Sequence, residues 1–328
     1  MVCGHRPVLG PVASFKLFSK MTPVSSLRAA FVRHAGILIE ATLTPVARLL
    51  LALDNRGFRR AAFRAHSSRT DCILADKGTK KFIVLTSDKV LSKSVYVSTK
   101  NFEFEKLAKA ITLLGPKFHL DTLVDVGANI GTVCIPAVKR GIARKAIAIE
   151  PEPRNYALLV ANIYLNGMSN AIEHLNTAFG PADNESLEFE LSEDNSGDHR
   201  IRVTSEDGIN SESRRRVIRV RSERFDTRIR NLDKHSSLVK IDTQGYEGLV
   251  LQGAAQATSA QIPMVLEFWP YGLKRTGSFL LLKEAISQYR CYFDLSQAEP
   301  EPDLPTAIDS LYDRLGERGP ATDILLSY

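Results

Sequence analysis

The residues best suited to chemistry lie in the stretch LVDVGANIGTV, at positions 123–133. An apolar run ends on Asp125, and Gly127, Asn129 and Gly131 follow at intervals of two. Glycine permits backbone turns that other residues resist, and asparagine tolerates the same conformations while offering a side-chain amide. This D-x-G-x-x-x-G spacing indicates a ligand-binding turn directly after a buried strand.

The acid before the turn bears on the charge of the ligand. Pyrophosphates are bound by bare backbone N–H groups at a helix N-terminus, and dinucleotide-binding proteins supply them with a G-x-G-x-x-G spacing. A carboxylate at Asp125 would repel a pyrophosphate. S-adenosylmethionine carries no phosphate, and a carboxylate stabilises both its sulfonium and its ammonium group. We therefore expect S-adenosylmethionine rather than NAD.

A second acid follows the next apolar run, KAIAIE, which ends on Glu150. An acid at the end of the second strand of a parallel sheet is placed to accept hydrogen bonds from ribose hydroxyls. NAD-binding enzymes use the same device, so Glu150 indicates an adenosine nucleoside without choosing between the two ligands. The alternative is that Asp125 and Glu150 are only helix caps or loop acids.

The elements that must position these residues alternate between strand and helix. Helical segments separate the apolar runs DTLVDVG, KAIAIEP, AIEHLNTAFG, SLVKIDTQG and PMVLEFWP, and YRCYFDLS and TDILLSY end the chain as an antiparallel pair. Continuous apolar strands between helices predict a parallel sheet covered on both faces. The expected fold is α/β, a seven-strand Rossmann-like sheet that is mostly parallel with an antiparallel last strand.

Residues 183–230 interrupt this alternation and are typical of antiparallel strands. Residues 183–198 carry seven acids and no base, whereas residues 214–230 carry eight arginines and two acids. Opposite charges on neighbouring strands favour pairing. A solvated hairpin and a groove for an anionic substrate both fit this pattern, and the hairpin is the preferred interpretation.

Positive charge is concentrated at the N-terminus. Residues 1–70 hold eleven Lys and Arg and two acids, and the rest of the chain holds 32 bases and 35 acids. The positive net charge therefore describes the N-terminal segment and not the rest of the chain, and we expect no nucleic-acid partner. We predict a basic helical arm (1–70), a β/helix extension packed on the core (71–118) and a core domain (119–328). A packed surface helix is the preferred interpretation of this arm, a dimer arm and a peripheral membrane contact are the alternatives, and the oligomeric state is left open.

Two strands, KKFIVLTSD and SVYVST, are expected in the extension. No stretch reaches the ~18 uncharged apolar residues of a membrane span, and the first thirty residues lack the apolar core of a signal peptide. The cysteines show no metal-binding spacing. These features favour a cytoplasmic protein without a metal site.

Five stretches, in this order, resemble the FkbM-type S-adenosylmethionine-dependent methyltransferases: LVDVGANIGTV, AIEPEPRNYALLVANIYLNG, NSGDHRI, LVKIDTQGYEGLVLQGA and VLEFWP. The resemblance covers about residues 120–328 and implies the seven-strand methyltransferase fold. It also implies methyl transfer, usually to an oxygen of a sugar, glycan or natural product. The family commonly has DVEG where this chain has DTQG, so Gln244 replaces an acid, and a paired base or metal ligand at that position is doubtful.

Carried over by position, the resemblance assigns the ligand contacts. It places Asp125, Gly127, Asn129 and Gly131 around the methionine part, Glu150 on the ribose, and residues 176–178, including Ala178, beside the adenine.

A hydroxyl acceptor must lose its proton, and three residues are candidates for taking it. Asp242 ends the fourth strand and is the first candidate, as base or as the group that orients the acceptor. His199 has an ordinary pKa of about 6.5 and is the second. Glu267, at the end of the fifth strand, is the third and could orient the acceptor. Structural roles remain the alternatives for His199 and Glu267, and Trp269 and Tyr271 suggest either a wall for a sugar ring or packing.

Two other functions stay open. One is an NAD-dependent oxidoreductase, which the carboxylate of Asp125 disfavours. The other is a non-catalytic binding module that acts through the basic arm, for which strongly salt-dependent association is expected. The sequence does not identify the acceptor.

Overall fold

The computed structural model describes residues 56–76, 78, 80–98 and 102–328. The chain divides into two compact units, residues 1–58 and residues 59–328, and every strand given below lies in the second unit. Most of the predicted basic arm, residues 1–70, lies outside the described residues. No described helix is long and apolar enough to cross a membrane.

The described helices are α1 (Arg56–Ser67), α2 (Leu91–Val97), α3 (Phe102–Leu113), α4 (Cys134–Lys139), α5 (Pro153–Leu165), α6 (Phe225–Arg228), α7 (Glu247–Gly253), α8 (Ala255–Ser259), α9 (Pro270–Thr276), α10 (Phe279–Ile286) and α11 (Ile308–Leu315). The described strands are β1 (Cys72–Asp76), β2 (Lys81–Leu85), β3 (Thr122–Val126), β4 (Lys145–Ile149), β5 (Ile172–Leu175), β6 (Ala178–Phe179), β7 (Glu185–Leu191), β8 (Arg200–Ile201), β9 (Arg216–Glu223), β10 (Ser237–Ile241), β11 (Met264–Phe268), β12 (Cys291–Asp294) and β13 (Thr322–Ser327).

A seven-stranded sheet in the order β12-β13-β11-β10-β3-β4-β5 forms the centre of the fold. The neighbours from β11 to β5 pair in parallel, and β13 runs antiparallel to both β11 and β12. This confirms the predicted α/β fold with its antiparallel last strand. Strand order reverses between β3 and β10, and their carboxyl ends therefore form the crevice in which such sheets bind ligands.

The central strands are buried on both faces, as their continuous apolar runs predict. All five residues of β3 and all five of β10 are buried. Val124 and Val126 belong to one hydrophobic core, and Leu123 belongs to the core on the other side. Alternate side chains thus fill two separate layers, which holds the strand ends in place.

The inserted residues form a second sheet in the order β6-β9-β7-β8. Strands β7 and β9 pair antiparallel over Glu185–Leu191, and Glu188 lies opposite Arg219 with 3.5 Å between their charged groups. The opposite charges predicted from the sequence are therefore paired across these strands.

The hairpin β1–β2 packs against helix α5 through asparagine side chains. Asn162 Oδ1 accepts the Ile83 N–H at 2.7 Å and its Nδ2 donates to the Ile83 carbonyl at 3.2 Å. Asn166 makes the same two bonds to Lys81, at 3.2 and 2.6 Å. These side chains take the place of a neighbouring strand, so the edge of β2 keeps its backbone hydrogen bonds.

The predicted strand SVYVST is wrong, because its first four residues, 94–97, lie in helix α2. The carboxylate of Asp88 accepts the N–H groups of Val90 and Ser92 at 2.9 and 3.0 Å and so supplies an N-terminal cap. Leu91 and Val95, four residues apart, pack against the same core cluster. Capping and helical spacing outweigh the β-propensity of the valines and tyrosine.

Candidate active site

A cavity of about 360 Å³ lies at the carboxyl ends of β3, β4 and β10. Its volume is within the range of ~300–1,000 Å³ typical of pockets that hold one small molecule. Most of the site residues predicted from the sequence line it, whereas Gly131 and Asn176 do not. The residues that line it include Asp125, Gly127, Asn129, Glu150, Ala178, His199, Asp242 and Glu267.

The two glycines of the turn serve different purposes. Gly127 has φ +82°, and a Cβ there would lie 2.0 Å from the Asp242 carbonyl oxygen. Gly131 has φ +91°, and its Cβ would lie 2.5 Å from the Ile135 Cδ1 atom of α4. Gly127 therefore lets two strand ends meet at the cavity, whereas Gly131 lets the following helix pack behind it.

The backbone N–H groups of this turn are already occupied. Those of Gly127 and Ala128 donate to the Ile149 carbonyl at 3.0 and 2.9 Å. The N–H of Asn129 donates to Glu150 Oε2 at 2.9 Å. A phosphate needs such groups unpaired, so these three do not form a phosphate-binding nest.

Two buried oxygens at the same turn lack a partner. Asp125 is fully buried and its Oδ2 accepts the Cys134 N–H at 3.2 Å. Its Oδ1 and the Oδ1 of Asn129 have no hydrogen-bond partner among the described residues. A buried unpaired acceptor costs about 1–3 kcal/mol. This part of the cavity is therefore suited to a ligand that donates hydrogen bonds, such as an ammonium group.

Glu150 lies directly after β4, and both of its carboxylate oxygens accept backbone hydrogen bonds. Oε2 accepts from Asn129 and Oε1 accepts from Glu152, each at 2.9 Å. Burial raises the pKa of Glu150 to about 8, although these two bonds act against the increase. Each oxygen keeps a second lone pair that a ribose hydroxyl could use. Thr177, Ala178 and Phe179 line the adjoining part of the cavity.

Two carboxylates meet at the other end, one directly after β10 and one near the end of β11, and one amide joins them. Gln244 has φ +57°, and its Nε2 donates to Asp242 Oδ1 at 2.8 Å and to Glu267 Oε2 at 3.0 Å. The ammonium of Lys240 lies 3.2 Å from the other oxygen of Asp242. The glutamine that replaces an acid in this chain is thus the link between two of the predicted catalytic residues.

These two carboxyl groups differ in their affinity for a proton. Burial alone would raise the pKa of Asp242, but Lys240 and Gln244 outweigh it and hold the pKa below its usual range. Burial, together with the charges of Asp242, Glu247 and Asp323, raises the pKa of Glu267 well above its usual range. Neighbouring acids with divergent pKa values are a common arrangement in acid–base catalysis.

Lys240 is a site residue that the sequence analysis missed. It lies in the buried strand β10, directly opposite Asp125 of β3, and its own side chain is buried. A charged side chain in a central strand is costly unless it is paired. The lysine within the apolar run SLVKI could therefore have predicted that carboxylates lie close to it.

His199 lines the cavity, but one of its two ring nitrogens already accepts a backbone hydrogen bond. Its Nδ1 accepts the Ser192 N–H at 3.0 Å, so the neutral ring carries its proton on Nε2. Burial lowers the pKa of His199, although nearby carboxylates oppose this. A neutral ring with this tautomer is a hydrogen-bond donor towards the cavity, which suits orientation of a ligand better than proton removal.

Two segments outside the predicted site also form the cavity wall. Val90, Leu91 and Ser94 reach it from the extension. The turn at Ser196 reaches it from the insertion, since the Ser196 carbonyl accepts Asn129 Nδ2 at 2.8 Å and its hydroxyl donates to Asp88. Ser196 belongs to the NSGDHRI stretch, but no motif in the sequence marks Val90, Leu91 and Ser94, and these contacts join three distant parts of the chain.

Trp269 and Tyr271 take part in packing. The Arg200 guanidinium lies 5.1 Å from the Trp269 ring, and the Tyr271 hydroxyl donates to the buried Glu212 at 2.7 Å. Neither aromatic residue is among the described residues that line the cavity. The structure therefore supports the packing interpretation over a wall for a sugar ring. Within the described ranges, no group of three or more His, Cys, Asp or Glu side chains is arranged to hold a metal ion.

The sheet order and the position of the cavity define a Rossmann-like fold of the methyltransferase class. Residues 125–284 match the family model described as the Methyltransferase FkbM domain. The match confirms the resemblance drawn from the sequence motifs. No curated protein matches the chain.

Solved structures with a similar fold include the methyltransferase FkbM from Methylobacillus flagellatus, at 14% identity and a TM-score of 0.40. That match covers 81% of this chain and 58% of the other, so this chain spans less than two thirds of that protein. Another is TYW2 from M. jannaschii in complex with AdoMet, at 13% identity and a TM-score of 0.39, covering 79% of this chain and 86% of that one.

Proposed function

We propose that this protein is an S-adenosylmethionine-dependent methyltransferase that methylates a hydroxyl oxygen of a sugar, glycan or natural product. The observation that carries the choice of donor is the pair of unpartnered, buried acceptor oxygens on Asp125 and Asn129. They are matched by an ammonium group and not by a phosphate. The FkbM domain supports the same donor.

The remaining residues fit the other parts of this donor. Glu150 would accept the ribose hydroxyls, and the cavity wall at Ala178 and Phe179 would border the adenine. The bound donor supplies a methyl group activated by a sulfonium. Asp242 and Glu267 would orient an acceptor hydroxyl, and one of the two would take its proton; positioning of this kind supplies much of the rate acceleration.

The proposed partner is a small-molecule or glycan acceptor rather than nucleic acid, in a cytoplasmic protein. A binding function of residues 1–70 at a membrane surface remains a separate proposal. An NAD-dependent oxidoreductase is less well supported, because the N–H groups of Gly127, Ala128 and Asn129 are occupied.

Calorimetric titration with S-adenosylhomocysteine tests the donor site. The wild-type protein should bind it, and Asp125→Asn should weaken binding at least about tenfold, the usual effect of losing a charged hydrogen bond. Asp294→Asn is the matched control, because Asp294 is also a buried acid near the end of a strand in this sheet but does not line the cavity. Binding of NAD without binding of S-adenosylhomocysteine would overturn the proposal.

Incubation of the protein with methyl-labelled S-adenosylmethionine and a cell extract tests the acceptor. A labelled methyl ether on a sugar, glycan or natural product is expected. Label found only in nucleic acid or protein would contradict the proposed acceptor class while leaving the donor intact.

A further inference from the structure

We propose that Glu267 is the base that takes the proton of the methylated hydroxyl and that Gln244 is the residue that positions it. This inference rests on the proposed methyltransferase function. It selects one of the three candidate bases. It also gives a role to Gln244, which replaces the acid that the family commonly has at this position.

Gln244 is held rigidly by its own loop. Its left-handed backbone is unfavourable for a residue with a side chain, so the surroundings must maintain it. The buried carboxylate of Glu247 accepts the N–H groups of Thr243 and Gly245 at 2.7 and 3.3 Å, on either side of Gln244. The hydroxyl of Thr276 donates to the Gly245 carbonyl at 2.6 Å. The bridging amide is therefore fixed from the backbone outwards.

Asp242 is poorly suited to accept a proton. One of its oxygens faces the Lys240 ammonium and the other accepts the Gln244 amide. Both contacts stabilise the ionised form, so this carboxylate binds a proton weakly. His199 is equally unsuited, because its Nδ1 accepts a backbone N–H. Asp242 instead supplies fixed negative charge next to the reacting centre.

Glu267 faces mostly negative groups. Asp242 lies beyond β10, Glu247 opens α7, and Asp323 lies opposite on β13. Two lysines moderate this field: Lys240 of β10, and Lys106 of α3, which pairs with Asp323. The excess of carboxylates favours the protonated form of Glu267, so this carboxylate binds a proton more tightly than Asp242 does.

In the reaction, the acceptor oxygen forms a bond to the methyl carbon as the carbon–sulfur bond breaks. The electron pair of that bond stays on sulfur, and the hydroxyl proton passes to the ionised Glu267. The products are a methyl ether, S-adenosylhomocysteine and protonated Glu267, which returns its proton to solvent. Gln244 keeps both carboxylates at fixed positions throughout.

A test that needs no acceptor compares two ligands. Sinefungin carries a primary ammonium where the methylated sulfur lies, and S-adenosylhomocysteine carries none. That ammonium resembles the lysine side chain, whose pKa is about 10, so it stays protonated throughout the pH range of the test. The ratio of the two affinities, measured by calorimetry from pH 5 up to the highest pH at which the protein stays folded, therefore reports the charge of the carboxylates at this end of the cavity.

In the wild-type protein, the preference for sinefungin should rise about tenfold as pH increases and Glu267 ionises. Glu267→Gln should abolish the rise, and Glu267→Asp should retain it at a shifted midpoint. Asp242→Asn should keep the rise but move it to lower pH, because a neighbouring negative charge is lost. A rise that persists in Glu267→Gln, or that disappears in Asp242→Asn, would overturn the assignment.

Gln244→Met tests the positioning role. Loss of the shared donor should move the rise to higher pH, because both carboxylates lose a hydrogen bond to their charged forms. Gln261→Met is the matched control, since Gln261 also has a left-handed backbone, with φ +53°, but does not line the cavity. An unchanged profile in Gln244→Met would exclude the positioning role. Failure of the wild-type protein to bind either ligand would instead count against the proposed function.

Discussion

At the turn after β3, the backbone of Gly127 lies against the Asp242 carbonyl oxygen. An added Cβ would lie 2.0 Å from that oxygen, a distance that no rearrangement of a flexible side chain can relieve. The same carbonyl belongs to the residue whose carboxylate joins the bridged pair with Glu267. Because Gly127 has no side chain, the turn after β3 can lie directly against Asp242 at the end of β10.

Gly127→Ala should therefore destabilise the protein more than strain alone explains. Gly141→Ala is the control, because Gly141 has φ +69° and a Cβ there would have nothing within 4 Å, so only the left-handed strain of about 1–2 kcal/mol applies. Gly127→Ala should cost a further ~1–3 kcal/mol for overpacking and should lose S-adenosylhomocysteine binding. Urea unfolding and calorimetry would measure both, and equal losses in the two variants would contradict this account.

Among the elements, α5 has two tasks. Its N-terminal end follows Glu150 at the cavity, and Asn162 in its C-terminal half and Asn166 directly after it bind the edge of β2. Strand β2 leads into α2, which supplies Leu91 to the cavity wall. The helix therefore connects the extension to the part of the cavity that Glu150 lines.

Asn162→Ala should loosen this coupling. The variant leaves the N–H and carbonyl of Ile83 and the carbonyl of Ile130 without their buried partner. Unpaired groups of this kind cost about 1–3 kcal/mol each, so the three together should lower the free energy of unfolding by at least ~3 kcal/mol. Asn170→Ala, at an exposed position, should change stability little. Similar losses in both variants would show that the docking contacts are unimportant.

Among the described residues, four buried carboxyl groups have raised pKa values: Asp125, Glu150, Glu247 and Glu267. Burial raises the pKa of Glu247 to about 7, and its Oε2 has no hydrogen-bond partner among the described residues. The folded state therefore binds this proton more tightly than the unfolded state. The resulting stabilisation is complete below pH ~4.5 and is lost as pH rises through about 7.

Glu247→Gln should remove this dependence, because an amide can keep the accepting oxygen and place its nitrogen at the unpaired site. Relative to wild type, the free energy of unfolding of the variant should rise by on the order of 3 kcal/mol between pH 4.5 and pH 7.5. Urea denaturation at several pH values measures this difference. The exposed Glu284→Gln controls for loss of a carboxylate, and parallel pH curves for wild type and Glu247→Gln would refute the prediction.

The sheet, the turn and most of the cavity residues could be predicted from the amino-acid sequence. Buried strands appear as continuous apolar runs, and the turn appears as Asp125 followed by spaced glycines, because these features depend on neighbours along the chain. Parallel strands bring their carboxyl ends to one edge, so Asp125, Glu150, Asp242 and Glu267 could be expected together before any coordinates.

The interactions among these residues follow from the tertiary structure and could not be predicted. The position of Lys240 opposite Asp125 depends on the register of β10 and β3. The hydrogen bond from Gln244 to Glu267 depends on the conformation of one loop. Helix α2 replaced a predicted strand through the cap at Asp88. Hydrogen bonds and charges act over a few ångströms between residues far apart in sequence, so atomic positions, and not residue types, determine which acid is ionised and which can take a proton.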